Sequence, residues 1–188
     1  MSSINLPTDD QQTCLRIARK SILHGLSNGT ALVVKPADYS DSLQQNLACF
    51  VTLHKHGQLR GCIGALEAYQ PLINDVTEHA FAAAFKDPRF PPLSKDEFEQ
   101  LKIEISVLGS PEAMQFIDQD DLLDQIQPGV DGLILEHGFN RGTFLPSVWE
   151  QLPDKKDFLN QLKMKAGLPI SWWDDKVKIS RYQTFQFE

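Results

Sequence analysis

The chain is 188 residues long and 41% hydrophobic, with 18 Lys and Arg against 25 Asp and Glu, a net charge of −7 and a pI near 5.2. With its basic residues scattered, this balance argues against nucleic acid as a main partner. No run approaches the roughly 20 apolar residues of a membrane span, and no basic amphipathic stretch suits a bilayer surface, so a soluble protein is expected.

Even composition at this length predicts one domain over residues 1–188 that needs neither a disulfide nor a metal to be stable. Cys14, Cys49 and Cys62 are odd in number and widely spaced, and the opening residues hold no apolar core of signal-peptide length. A reducing, cytoplasmic location is the expectation.

Along the chain, Thr8 and Gln11 read as a capping box opening a first helix over residues 9–27, with Leu15, Ala18, Ile22 and Leu26 at helical spacing and Asn28-Gly29 as its stop. After a polar, turn-prone stretch from Lys35 to Gln45, the segments Leu47 to Leu53 and Leu59 to Leu66 predict a β-hairpin around Gly57. Pro71 opens a second helix reaching about Lys86, whose alanines permit close approach. Pro88, Pro91 and Pro92 cannot continue that helix and make Asp87 to Pro92 a rigid loop.

Ser94 and Glu97 repeat the capping-box pattern. Ile103, Ile105 and Val107 then alternate with Lys102, Glu104 and Ser106, which predicts a half-buried strand over 102–108. Further elements are a short helix near 120–127, a strand over 132–136, a turn over 137–142, a short strand ending at Pro146, a helix over 154–166 stopped by Gly167, and one terminal strand over 177–187. Hairpin-like pairings mixed with helices, without regular βαβ alternation, indicate an α+β fold with a largely antiparallel sheet and packed helices.

Six stretches in order resemble the AMMECR1-domain family: Leu59-Arg60-Gly61-Cys62-Ile63-Gly64; Ala83-Ala84 with Asp87 to Pro92; Glu104 to Leu108; Gly129 to Leu133; Phe144 to Pro146; and Lys165 to Leu168. The likeness runs from the first helix to about Trp172. It implies a compact α+β protein with a larger and a smaller subdomain and no established catalytic activity. The family's association with Memo-like and radical-SAM proteins in bacteria and archaea implies partners of those kinds. The stretch from Ser110 to Gln127 matches no family signature, and His79 has no counterpart in the motif, so neither takes a role from the resemblance.

The strongest candidate site is built on Cys62. Side chains two apart in a strand share a face, so Arg60 and Cys62 are expected to project together, with Leu59, Gly61 and Ile63 on the other side. A guanidinium nearby would favour the thiolate; burial without it would do the opposite. Gly61 and Gly64 mark a tight place that a bulge, a backbone or a ligand can require, and all of Arg60, Gly61, Gly64, Asp87 and Arg89 are candidate ligand-binding residues. Asp87 and Arg89 can pair with each other to fix their loop or face a ligand beside Cys62. Glu104 can pair with Arg60, act as an acid or base, or meet water.

His54 and His56 lack a third ligand at readable spacing, so no metal site is expected. His79 is a conceivable base for a cysteine nucleophile, and Cys14 and Cys49 read as packing residues. Trp172 and Trp173 read as sealing a core end or serving an interface. With no CxxC pair, phosphate loop, GxGxxG turn or GxSxG elbow, no cofactor is expected. Two functions stay open: a binding or accessory protein whose Arg60–Cys62 groove takes a small anionic ligand or a partner peptide, and an enzyme using Cys62 as nucleophile or covalent carrier on a small anionic substrate.

Overall fold

The computed structural model describes residues 6–188. Helix α1 (Thr8–Asn28) ends on Gly29 in the left-handed region, where φ is +73° and a side chain would be strained. Its start differs from expectation: Pro7 occupies the cap position, no side chain caps the helix, and Gln11 Nε2 instead donates to the Leu6 carbonyl at 2.8 Å. Thr8 is already helical, because the proline fixes the chain's entry one residue earlier than a threonine cap would.

Residues up to Gly109, together with Phe185–Glu188, form one compact unit, and Ser110–Thr184 form a second. In the first unit, the stretch read as a polar turn holds a short 3-10 turn at Pro36–Asp38 and helix α2 (Asp41–Gln44). Strands β1 (Cys49–Lys55) and β2 (Gln58–Gly64) make the expected hairpin. Helix α3 (Leu72–Phe85) packs on α1 and on both strands, and Gly25 of α1 lies where the Phe81 and Phe85 rings approach. Helix α4 (Lys95–Phe98) carries the Ser94–Glu97 capping box, and β3 (Leu101–Leu108) follows. The sheet order is β2-β1-β3-β8, with β8 at Thr184–Phe187, so β2 is an edge strand. Val51, Leu53, Leu72, Ile73, Val76 and Ile105 are among its fully buried core residues.

The second unit holds β4 (Glu112–Ala113), α5 (Gln119–Gln125), β5 (Gly132–His137), β6 (Asn140–Phe144), α6 (Lys155–Lys165) and β7 (Lys178–Tyr182). Its sheet order is β4-β7-β5-β6. Trp149 stacks on Phe158 at 3.7 Å, and Trp172 and Trp173 pack against this core from its margin. The turn expected over 137–142 shortens to Gly138-Phe139, since β6 already begins at Asn140.

The single terminal strand expected over 177–187 is two strands. Ile179 on β7 belongs to the second unit's core and Phe187 on β8 to the first unit's, and the break falls at Gln183. Alternation of side chains reports which face is buried, not which strand is the hydrogen-bonding partner, so it does not reveal the change of sheet. Among the described residues no helix is long and apolar enough to cross a membrane.

Candidate functional site

The β1–β2 hairpin turns at His56 and Gly57, both with positive φ (52° and 76°), which matches the twist of two paired strands. Along the hairpin, Cys62 lies opposite Thr52 and Gly61 opposite Leu53, but the next pair is Leu59 with His54. Arg60 is therefore an extra residue on β2, a β-bulge. An extra residue reverses the in-out parity of the strand, so Arg60 and Cys62 do not share a face as strict alternation predicts.

The bulge sends the Arg60 side chain, only 8% exposed, into a two-point ion pair with Glu97: Nε donates to Oε1 at 2.9 Å and Nη2 to Oε2 at 3.0 Å. Nη2 also donates to the Pro91 carbonyl at 2.9 Å, and Lys55 Nζ reaches Glu97 Oε1 at 3.1 Å. The Arg60 guanidinium holds the Glu97 carboxyl well below the usual carboxylate range, with the Ser94 amide and Lys55 adding to it. Glu97 was readable only as a capping residue; that it also neutralises Arg60 depends on the loop's path.

Cys62 is half-buried on the opposite face, in a row with Thr52 on β1 and Glu104 on β3. Thr52 Oγ1 donates to Cys62 Sγ at 3.3 Å, and Glu104 lies 3.9 Å from His54 Nε2. Burial pushes the Cys62 thiol up from its ordinary value. The Thr52 hydroxyl and the Arg89 charge oppose this, and Asp87 and Glu104 reinforce it. Burial is the largest of these effects, so the net direction is away from the thiolate.

The Asp87–Arg89 loop lies along the edge of β2. Asp87 Oδ2 accepts from the Cys62 amide at 2.9 Å, and Arg89 Nη2 donates to the Cys62 carbonyl at 3.4 Å, so the loop occupies both backbone groups that the edge strand would otherwise leave open. Arg89 binds Asp87 through Nε to Oδ1 at 3.0 Å, Nη2 to Oδ2 at 2.7 Å and its amide to Oδ1 at 3.1 Å. That pairing holds the Asp87 carboxyl well below its usual range. The pair fixes the loop, and Arg89, with a side chain still 54% exposed, stands beside Cys62.

Gly61 and Gly64 are sites of close backbone approach. A Cβ on Gly61 would lie 2.1 Å from the Ala83 carbonyl oxygen of α3, and one on Gly64 would lie 2.4 Å from the Cys49 carbonyl oxygen. The alanines of α3 serve this same approach.

His79 is not turned to Cys62. Its Nδ1 lies 3.1 Å from Asp75 Oδ2, one helical turn earlier, and the same oxygen accepts from the Cys49 amide at 2.8 Å. Cys49, Asp75 and His79 are all buried, and their side-chain donor atoms lie within 4.8 Å of one another. The i, i+4 spacing of Asp75 and His79 on a helix was visible in the sequence; the arrival of Cys49 from a strand was not. His79 also lines an open cavity of about 520 Å³ with Thr30, Ile63, Glu78, Phe81 and Lys86.

Comparison with known proteins places this geometry among relatives. The AMMECR1 family model matches residues 15–187. A protein of Methanothermobacter thermautotrophicus is 41% identical over 180 residues, covering 95% of this chain and 93% of the relative. A protein of Methanocaldococcus jannaschii is 38% identical over 187 residues, covering 97% and 92%. The crystal structure of an uncharacterized protein from Pyrococcus horikoshii superposes with a TM-score of 0.86 at 32% identity, covering 96% of this chain and 92% of that one.

Proposed function

The chain belongs to the AMMECR1 family, and from that premise we propose that it is a binding component, not a thiol enzyme, of a cytoplasmic modification system whose other members are Memo-like and radical-SAM proteins. The carrying observation is the geometry at Cys62: a half-buried thiol, pushed up by that burial, beside the half-exposed guanidinium of Arg89, which donates to the Cys62 carbonyl. A general base for the thiol would have to be a carboxylate or imidazole within hydrogen-bond reach. Its one side-chain hydrogen-bond partner among the described residues is Thr52, while Asp87 is saturated by Arg89 and the Cys62 amide.

Arg89 is the recognition group in this reading. Its donors are aimed by Asp87, and a guanidinium so fixed suits a carboxylate or phosphate on a small ligand or on a partner's peptide. Cys62 and Thr52 form a wall of that site. The system and its partners rest on the family association alone.

The test is association of the full chain with co-expressed Memo-like and radical-SAM proteins. Arg89→Gln is expected to weaken binding about tenfold, the scale of one charge-assisted contact, while Cys62→Ser leaves it within about threefold. Retained association with complete loss of pathway output in Cys62→Ser would instead favour the nucleophile or covalent-carrier function.

A further inference from the structure

We infer that Cys49, Asp75 and His79 form a binding site for a thiophilic divalent cation of the Zn²⁺ class, separate from the Cys62 face. Cys49 comes from β1, while Asp75 and His79 are one turn apart on the buried face of α3. The three residues are 0%, 1% and 8% exposed, and their ligand atoms all fall within 4.8 Å of one another. Donors bound to one tetrahedral zinc at about 2.0–2.3 Å stand roughly 3–4 Å apart, so small side-chain movements bring this set to coordination distance.

The donor types select the ion. One thiolate, one imidazole and one carboxylate suit Zn²⁺ and its first-row neighbours, whereas Mg²⁺ and Ca²⁺ favour oxygen alone. The surroundings also resemble an outer shell that orients metal ligands: Gln70 Nε2 donates to Asp75 Oδ1 at 3.2 Å, and the Cys49 amide to Oδ2 at 2.8 Å. Three protein donors leave a fourth position for water or another ligand, and His79 stands between the other two donors and the 520 Å³ cavity that it lines, which is the side from which a cation would enter.

Loading balances simply. In the metal-free protein His79 Nδ1 and the Cys49 sulfur both stand against the Asp75 carboxylate, which would accept from a thiol S–H and from the Nδ1–H tautomer of the imidazole. On binding, the thiol proton leaves to the buffer as the sulfur–metal bond forms, and the imidazole shifts its proton from Nδ1 to Nε2. One proton is released per cation, and none is consumed.

The experiment is a Co²⁺ titration of the full-length chain after chelator treatment, followed by displacement with Zn²⁺. Expected are one equivalent bound, thiolate-to-cobalt charge-transfer absorption in the near ultraviolet, a raised melting temperature, and no competition from Mg²⁺. Cys49→Ser should lose the charge-transfer band. His79→Gln, which keeps a donor for Asp75, should weaken binding at least tenfold with an unchanged circular dichroism spectrum, and it decides the matter if Cys49→Ser does not fold. Absence of stoichiometric binding by the native protein, a band that survives in Cys49→Ser, or unaltered affinity in His79→Gln would each overturn the site.

Discussion

Gly61→Ala is expected to destabilise the protein by about 3 kcal/mol, at the upper end of the usual cost of overpacking a core. The added methyl would stand 2.1 Å from the Ala83 carbonyl oxygen, and that oxygen is α3 backbone, so no side-chain rotation relieves the clash. Either the hairpin or the helix must move, and Cys62, the next residue, moves with it. Gly29→Ala provides the contrast: φ is +73° but nothing lies within 4 Å, so only the left-handed backbone conformation costs, about 1 kcal/mol. For a chain of this size a 3 kcal/mol loss lowers the thermal midpoint by about 6–12 °C, readable by circular dichroism melting. Equal midpoints for the two variants would refute the close approach of β2 to α3.

Glu97→Gln should have an effect of similar size. Breaking one side of a buried ion pair typically costs about 3–5 kcal/mol, and the 20% exposure of the Glu97 side chain places it at the low end, about 3 kcal/mol. The loss arises because Arg60 stays buried at the bulge without its counter-charge. A pH series separates this from simple packing damage. Glu97 and Asp87 are both held below their ordinary range in the fold, so between those depressed values and about pH 4 the unfolded chain binds more protons than the folded one. Their stabilisation is fully present above about pH 5 and is lost as pH falls. Glu97→Gln should flatten that acid-side decline, leaving the part that Asp87 contributes; an unchanged slope would show that Glu97 is not ionised by its pairing with Arg60.

What the sequence made legible was local. The stop at Gly29, the hairpin turn around Gly57, the proline loop after α3 and the Ser94–Glu97 box depend on a few neighbouring residues and stand where the pattern places them, though the hairpin turn is tighter than expected, since β1 runs on to Lys55 and β2 starts at Gln58. The AMMECR1 likeness is shown by the family match over residues 15–187. The facing of Arg60 was not legible, because a bulge is a mismatch between two strands and leaves no mark in the periodicity of either. Glu97 meeting Arg60, and Cys49 meeting Asp75 and His79, join residues 26 to 37 positions apart through tertiary packing. The terminal segment divides at Gln183 for a related reason: which sheet a strand joins depends on its partners, not on its own alternation.

The bulge also changes how the candidate site works. Arg60, expected to activate Cys62, is committed to Glu97 on the other face, and the cation beside the thiol is Arg89, itself bound to Asp87. The loop residues Asp87 and Arg89, and not the strand residue Arg60, are the charged groups that flank Cys62. They bind both backbone groups of Cys62 on the edge of β2 and leave one guanidinium partly in solvent, while burial pushes the thiol up from its ordinary value.

The most direct measurement is the rate of iodoacetamide alkylation of Cys62 against pH in the native protein, followed by peptide mass spectrometry to separate it from the buried Cys14 and Cys49. The expected profile is slow at neutral pH and rises with an inflection above the ordinary cysteine value of about 8.5. A fast reaction at pH 7 with an inflection below neutrality would contradict it, and would make Cys62 an activated nucleophile.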